Sequence, residues 1–368
     1  MKQLALLIMV LVFFGILIGA NIYLAKRFAF FFSFEKAYLF YFLFPFISIF
    51  MIGAAMGATN SISTVGHIIF ISGTIMMGFV LYLLISTIAV DLLSFVLKTK
   101  PLYYGMMAIL MATLISLYGA WNAAIVKTTE VDISIAGLKK NVSAAHLTDT
   151  HLGHYRGGDN LQKIVEMINR QNVDLVFFTG DLLDGRIQLK EEAMNPLKNL
   201  DAPIYFVEGN HDEYTGVNAI KKYLRHIGVN VLENEVTEWE EIQIIGLTFM
   251  VADSNGISPH AKPGGPNVKA VLEQLKIDKN RPAILLHHGP NGVKYANEAG
   301  VDLYLAGHTH AGQLWPATYV AKAIFEYNRG LHNYNGTQVY VSQGTGTFGP
   351  PMRVGTNSEL TFLNLKPE

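Results

Sequence analysis

Four long apolar runs fill the first third of the chain: Leu4 to Ala25, Ala37 to Gly57, His67 to Ala89 and Tyr103 to Ala124. Each approaches or exceeds the roughly 20 residues with which a helix crosses about 30 Å of hydrocarbon, so four membrane-spanning helices are predicted. The first run is longer than the roughly 7 to 15 apolar residues of a secretory signal, which predicts an uncleaved span. Beyond Ile125 the pattern changes to short apolar runs of strand length: Val142 to Leu147, Asp174 to Phe178, Ile204 to Val207, Ala283 to Leu286 and Leu303 to Ala306. Between the first two, Leu161, Ile164, Val165 and Ile168 share one face of a predicted helix. Strands alternating with helices predict an α/β domain with a largely parallel inner sheet, covered on its faces and carrying its site at the carboxyl ends of the strands. The expected organisation is a transmembrane anchor over 1–124 and a second domain over 125–368.

Composition sharpens this division. Hydrophobic residues make up 51% of the 368 positions, charged residues 15%, and the mean hydropathy is +0.28, an excess concentrated before Trp121. With 28 Lys+Arg against 29 Asp+Glu the net charge is −1, which argues against nucleic acid as a partner and leaves the membrane as the partner that composition predicts. The absence of cysteine excludes disulfides, thiolate metal sites and a cysteine nucleophile.

Basic residues in the short connections predict orientation. Lys26, Arg27 and Lys36 follow the first span and Lys98 and Lys100 the third, whereas Ala58 to Gly66 carries none. Holding the basic loops in the cytoplasm puts the second domain on the extracytoplasmic face of the cell (inner) membrane, although Lys2, Lys127, Lys139 and Lys140 weigh weakly the other way. Asp91 lies near the end of its span and reads as interfacial, and His67 as a residue at the water boundary. No transport pathway is visible in spans so poor in charge.

Each of the five strand-length runs leads directly into metal-binding side chains. The first opens into Asp149-Thr-His151, the second into Gly180-Asp181-Leu-Leu-Asp184, and the third into Gly209-Asn210-His211-Asp212. The fourth opens into His287-His288-Gly-Pro290 and the fifth into Gly307-His308-Thr-His310. If all five strands belong to one sheet, their ends bring these groups to one point. An Asp-x-His or His-x-His pair just past a strand can turn both side chains toward one centre. The donors are nitrogen and oxygen without thiolate, a set that suits Mn, Fe, Zn or Co rather than Ca or a lone Mg. They are too many for one ion. Two ions sharing a carboxylate sit about 3.5 to 4 Å apart, the spacing at which a bridging hydroxide attacks phosphorus in line.

These blocks, in this order, resemble the calcineurin-like metallophosphoesterases over roughly Val142 to the C-terminus. The resemblance implies a four-layer αββα sandwich. It implies one metal held by Asp149, His151, Asp181 and His310, and a second held by Asp181, Asn210, His288 and His308. It also implies His211 as the non-ligand histidine that assists the leaving oxygen, Asp212 as its orienting neighbour, and Asp184 as a loop support. The family's histidine, any residue, proline pattern selects His288 over His287. Gly312-Gln313 and the tail from Ser342 to Arg353 resemble a bacterial membrane-associated branch, some of whose members act on lipid-linked substrates. These include the UDP-diacylglucosamine pyrophosphatases of lipid A synthesis, a reading that requires the cytoplasmic face. A metal-binding sensor without turnover is the competing reading outside enzymes, and retention of every ligand argues against it.

The remaining candidates read more plainly. His146 lies within a strand and reads as a core histidine, while His226, His260 and His332 read as solvated. His154 divides evenly between touching substrate and capping its loop. Arg353 divides between a substrate phosphate and a surface salt bridge; Phe348 and Trp315 are candidates to line a lipid-facing cleft but read more plainly as core packing or an exposed rim; and Gly344 to Gly349, a candidate phosphate cradle that lacks a Walker lysine and does not open a helix, reads as a tight loop. The lack of native cysteine makes the orientation testable: single cysteines placed within Ala58 to Gly66 and just after Lys127 are expected to react with an impermeant maleimide on intact cells. Absence of labelling at both places reverses the orientation.

Overall fold

The computed structural model describes every residue except Met1, Phe34, 185–190, Thr215 and 257–263; His260 thus lies outside the described residues. The chain forms two compact units, Met1–Trp121 with Gly349–Met352, and Asn122–Phe348 with Arg353–Glu368. The division falls just before the expected 124/125 boundary because Asn122 and Ala123 are bonded into the second unit. Asn122 Nδ2 donates to the carbonyls of Arg353 (3.0 Å) and Thr356 (2.8 Å), and Ser358 Oγ donates to the Ala123 carbonyl at 2.9 Å.

The first unit consists of α1 (Lys2–Phe31), α2 (Tyr38–Gly57), α3 (Thr64–Leu93) and α4 (Pro101–Ala124), all four long and apolar enough to cross a membrane. Large apolar side chains such as Phe42, Phe46 and Ile49 point outward, the reverse of a water-soluble bundle. Small residues make the interhelical contact: a side chain at Gly73 on α3 would place its Cβ 2.4 Å from that of Ala54 on α2. Some polar groups in the unit are paired across helices. Ser48 donates to Asn21 at 3.0 Å, and Asp91, near the end of α3, accepts from Tyr23 at 2.5 Å and forms an ion pair with Arg27 of α1.

The second unit contains β1 (Val126–Ile135), β2 (Val142–Leu147), α5 (Gly158–Asn169), β3 (Leu175–Thr179), β4 (Ile204–Val207), α6 (Asn210–Tyr214), α7 (Val217–His226) and β5 (Asn230–Val231). It continues with β6 (Glu235–Trp239), β7 (Ile242–Gly246), α8 (Val268–Leu272), β8 (Ala283–Leu286), α9 (Val293–Ala299) and β9 (Leu303–Ala306). The last elements are α10 (Ala317–Ile324), β10 (Gly330–Tyr334), β11 (Thr337–Val341) and β12 (Ser358–Pro367). Two six-stranded sheets result, in the orders β1-β12-β2-β3-β4-β5 and β10-β11-β9-β8-β7-β6.

Three apolar cores make these sheets a four-layer sandwich. Between the sheets, Ile133, Leu175, Phe177 and Val207 meet Ile244, Ile284, Leu286 and Leu305. On the outer face of the first sheet, Leu161, Ile164, Val165 and Ile168 of α5 pack with Phe178 and Phe206, the face that their spacing predicts. On the outer face of the second, α8 and α9 contribute Val268, Leu272, Val293 and Ala296 against Leu285 and Tyr304.

One expectation is corrected here: the five ligand-bearing strands do not share one sheet. β2, β3 and β4 belong to the first, and β8 and β9 to the second. Each is a short run buried on both faces, a pattern that announces a central strand without naming its neighbours. The C-terminal strand β12 lies between β1 and β2, parallel to one and antiparallel to the other, so the chain's last segment is integral to the first sheet. Leu161→Ala is expected to cost about 2–5 kcal/mol, and the exposed Lys163→Ala no more than about 0.5 kcal/mol, as read from thermal unfolding of the purified full chain.

Candidate metal centre

The proposed ligands emerge where strand becomes turn, and the backbone there is unusual. Asp149 (φ 51°), His151 (46°), Asp181 (52°), His308 (70°) and His310 (46°) all adopt left-handed conformations. A residue with a Cβ pays roughly 1–3 kcal/mol for such strain, which persists only where surrounding contacts enforce it. Those contacts are present. The Asp149 N–H donates to the Gly180 carbonyl (2.9 Å), the His151 N–H to that of Asp181 (3.1 Å), and the Gly346 N–H to that of Asp149 (2.7 Å). Glycine is required by close approach at two points: a Cβ at Gly209 would lie 2.1 Å from Asp181 Oδ1, and one at Gly307 would lie 2.2 Å from Asp149 Oδ2.

Two groups of donors face each other. Asp149, His151 and His310 form one and Asp181, His288 and His308 the other, with the ligand atoms of each group within 4.8 Å of one another. His310 Nε2 lies 3.2 Å from Asp149 Oδ1 and 3.0 Å from His151 Nε2. Asp181 Oδ2 links the groups, 3.7 Å from His151 Nε2 and 3.1 Å from His288 Nε2. Asn210 Oδ1 and His288 Nε2 are buried without a hydrogen-bond partner, a costly state that coordination to a cation relieves. The residues therefore fit a divalent metal.

The tautomers distinguish the two adjacent histidines. His288 Nδ1 donates to the Thr179 carbonyl at 2.7 Å, which leaves the Nε2 lone pair directed at the carboxylates. His287 is occupied elsewhere: Nδ1 contacts the Gly289 carbonyl and the Tyr304 hydroxyl, each at 2.8 Å, and Nε2 accepts from the Met250 N–H at 3.3 Å.

His211 stands beside this centre, less buried than the donors, its ring 4.7 Å from that of His151 and nearly perpendicular to it. Its backbone N–H donates to Asp181 Oδ1 at 2.8 Å. Asp184 faces both rings, with Oδ1 3.6 Å from His151 Nδ1 and 3.7 Å from His211 Nδ1. The buried Asp212 accepts from the Leu183 N–H (3.1 Å) and the Gly209 N–H (2.9 Å), so it ties the loop after β3 to the loop that carries His211.

Charge in the cluster is strongly coupled. Burial opposes ionisation of Asp149, yet His310 and His151 hold its carboxyl well below the usual range, and His288 does the same for Asp181. Burial likewise opposes a charged His288, but Asp181 pushes it up to about 9. Asp149 and Asp184 push His151 up to about 10 against the same burial. The two enclosed carboxylates thus favour positive charge on His288 and His151, whereas burial pushes His310 down to about 4. Asp212 is pushed up to about 7, by burial first and then by the charge of Asp181.

Arg353 departs from both sequence expectations, since it meets neither solvent nor a surface partner. It is fully buried, and its Nη2 donates to the carbonyls of Gln343 (2.6 Å), Gly344 (3.1 Å) and Gly346 (2.7 Å) while lying 3.1 Å from His310 Nδ1. The tail loop is thereby fastened against the Asp149 turn. Sequence gives no sign of this, because an arginine after a glycine-rich run has no preferred fate. Phe348 and Trp315 are half-exposed, and the Phe348 ring lies 5.0 Å from His310. His146 is a core residue whose Nε2 contacts Thr179 Oγ1 at 2.8 Å. His154 is buried, His226 is exposed, and His332 contacts the Arg329 carbonyl at 3.0 Å.

Two facing sheets whose strand ends gather imidazoles, carboxylates and an amide define a metal-ligating αββα sandwich. A family model described as calcineurin-like phosphoesterase matches residues 142–312. The chain is 34% identical over 246 residues to an uncharacterized metallophosphoesterase of Helicobacter pylori (strain J99), covering 66% of this chain and 64% of that protein. It is 30% identical to an uncharacterized metallophosphoesterase of Aquifex aeolicus, covering 69% of this chain and 97% of that one. A Danio rerio transmembrane protein with metallophosphoesterase domain is 34% identical, with 71% of this chain and 62% of that protein covered. The chain belongs to the calcineurin-like metallophosphoesterases, and it spans just under two thirds of the Helicobacter relative. Arg353→Met leaves the buried carbonyls of the tail loop unpaired and is expected to destabilise by about 3 kcal/mol or more, measured as a lowered unfolding temperature.

Proposed function

We propose that the chain is a membrane-anchored, metal-dependent hydrolase of phosphate esters or anhydrides whose substrate is a lipid or envelope phosphoester. The observation that carries this reading is the convergence of Asp149, His151 and His310 with Asp181, His288 and His308 at the ends of four strands, β2, β3, β8 and β9. In this reading Asp149, His151, Asp181 and His310 hold one divalent ion, and Asp181, Asn210, His288 and His308 hold the other, with manganese the first metal to supply. Such ions contribute Lewis acidity toward phosphoryl oxygens and an activated water.

The remaining roles fall to side chains. His211 is close enough to the ligand rings to reach a phosphoryl substituent and accessible enough to exchange its proton with water, so it donates to the departing oxygen. Asp184 and Asp212 act as positioning residues, the first facing the His211 ring and the second fixing its loop. Asp181 serves the same region twice, since Oδ1 accepts the His211 N–H while Oδ2 faces His288 and His151. Anchorage by four such helices raises the rate of encounter with substrates at the bilayer surface.

The manganese-loaded full chain is expected to hydrolyse a generic aryl phosphodiester or monoester. His211→Ala should lower kcat about 10²–10⁴-fold while metal content by elemental analysis stays unchanged. Metal-loaded protein inert toward every phosphoester, phospholipid and pyrophosphate ends the proposal.

A further inference from the structure

The short helix α10 (Ala317–Ile324) buries only Ala321, and its outward face is apolar: Tyr319 is 68% exposed, Val320 58% and Ile324 69%. Trp315, 42% exposed, lies in the turn just before the helix and adds a further exposed aromatic side chain next to it in sequence. A soluble helix normally turns that face inward. Here it lies open, and a contiguous exposed apolar surface marks contact with another phase or molecule.

The stripe adjoins the metal centre. The Gln313 side chain clasps Phe348, its amide donating to the Phe348 carbonyl and accepting from the Phe348 N–H, both at 3.0 Å. Phe348 is itself 45% exposed and lies 5.0 Å from the His310 ring. Phe348 beside the ligands is thus tied through Gln313 to the segment that leads through Trp315 into α10.

Chain continuity supplies the occupant. Tyr118 and Trp121, exposed near the end of α4, are residues that favour the interfacial layer of a bilayer. From Trp121 to the start of β1 at Val126 the chain advances on the order of 10 Å. Asn122 is bonded to the carbonyls of Arg353 and Thr356. The same segment pairs with the base of α10, where the Trp315 N–H donates to the Val354 carbonyl at 2.8 Å, and a Cβ at Gly355 would lie 3.5 Å from that of Trp315. The residues that leave the bilayer and the apolar helix are thus joined through one loop, within one compact unit.

We propose that Trp315 and the outward face of α10 insert into the lipid surface beside the metal centre, with the bilayer itself as the occupant. The helix suits that place: aromatic and aliphatic side chains form the stripe, and the exposed Lys322 and Arg329 sit where anionic headgroups lie. Inserted in this way, α10 brings Phe348 and the ligands to the headgroup layer, where a phosphoester is presented without leaving the membrane. That consequence rests on the hydrolase reading, but the insertion does not.

The test requires no turnover, so its failure is separate from failure of the hydrolase reading. Because the chain has no cysteine, Val320→Cys and Ile324→Cys carry a single environment-sensitive nitrobenzoxadiazole label, with Lys276→Cys, exposed elsewhere in the unit, as reference. The labelled full chain is reconstituted in vesicles of phosphatidylcholine and phosphatidylglycerol with and without a headgroup-proximal doxyl lipid. Blue-shifted emission at positions 320 and 324, and about twofold or greater quenching by the doxyl lipid relative to position 276, are expected for a helix seated some 5–10 Å into the interface. Emission and quenching equal to those at position 276 overturn the proposal. It is also overturned if the shift follows the protein-to-lipid ratio and not the doxyl lipid, since a second copy then covers the face.

Discussion

Asp149 and Asp181 are enclosed carboxylates placed within reach of the same imidazoles, and much of the second unit is arranged around that fact. Neither can be ionised in a protein interior without compensating charge. His310, His151 and His288 supply part of it, and the buried Asn210 oxygen has no partner of its own. The turns that present these groups are strained, and they are held by backbone hydrogen bonds between loops from different strands. The two sheets supply the rigidity for this, because their shared core fixes where the strands end.

The same constraint accounts for features remote in sequence. Glycines at 209 and 307 are places where a neighbouring carboxylate occupies the space a side chain would need. Arg353, distant from every recognisable block, fastens the tail loop against the Asp149 turn and touches the outer nitrogen of His310. Thr179, an ordinary strand residue, orients His288 through its carbonyl. The donor groups are therefore only the visible part of a larger arrangement of loops.

Under the proposed insertion, the apolar stripe on α10 gives the loops around the ligands a lipid-facing neighbour. A hydrolase inserted in that way would meet phosphoesters in the headgroup layer, where lipid headgroups are abundant. An outward apolar helix next to the ligands is a liability in free solution and useful at a bilayer.

Much of this was legible in the residues. Four apolar runs announced four long helices, and the strand-length runs before each ligand block appear as β2, β3, β4, β8 and β9 within a residue of their expected bounds. Both follow from local physics: membrane thickness sets one length, and burial of a short stretch on two faces sets the other. Donor types and spacing likewise fixed the chemistry the loops can perform. Tertiary structure alone decided which strands share a sheet, because pairing is made by partners far away along the chain. It also set the different surroundings of His287 and His288, between which the sequence pattern had already chosen, and it turned Arg353 inward and the face of α10 outward. Those outcomes depend on contacts between segments that the order of residues leaves open, and packing closes them.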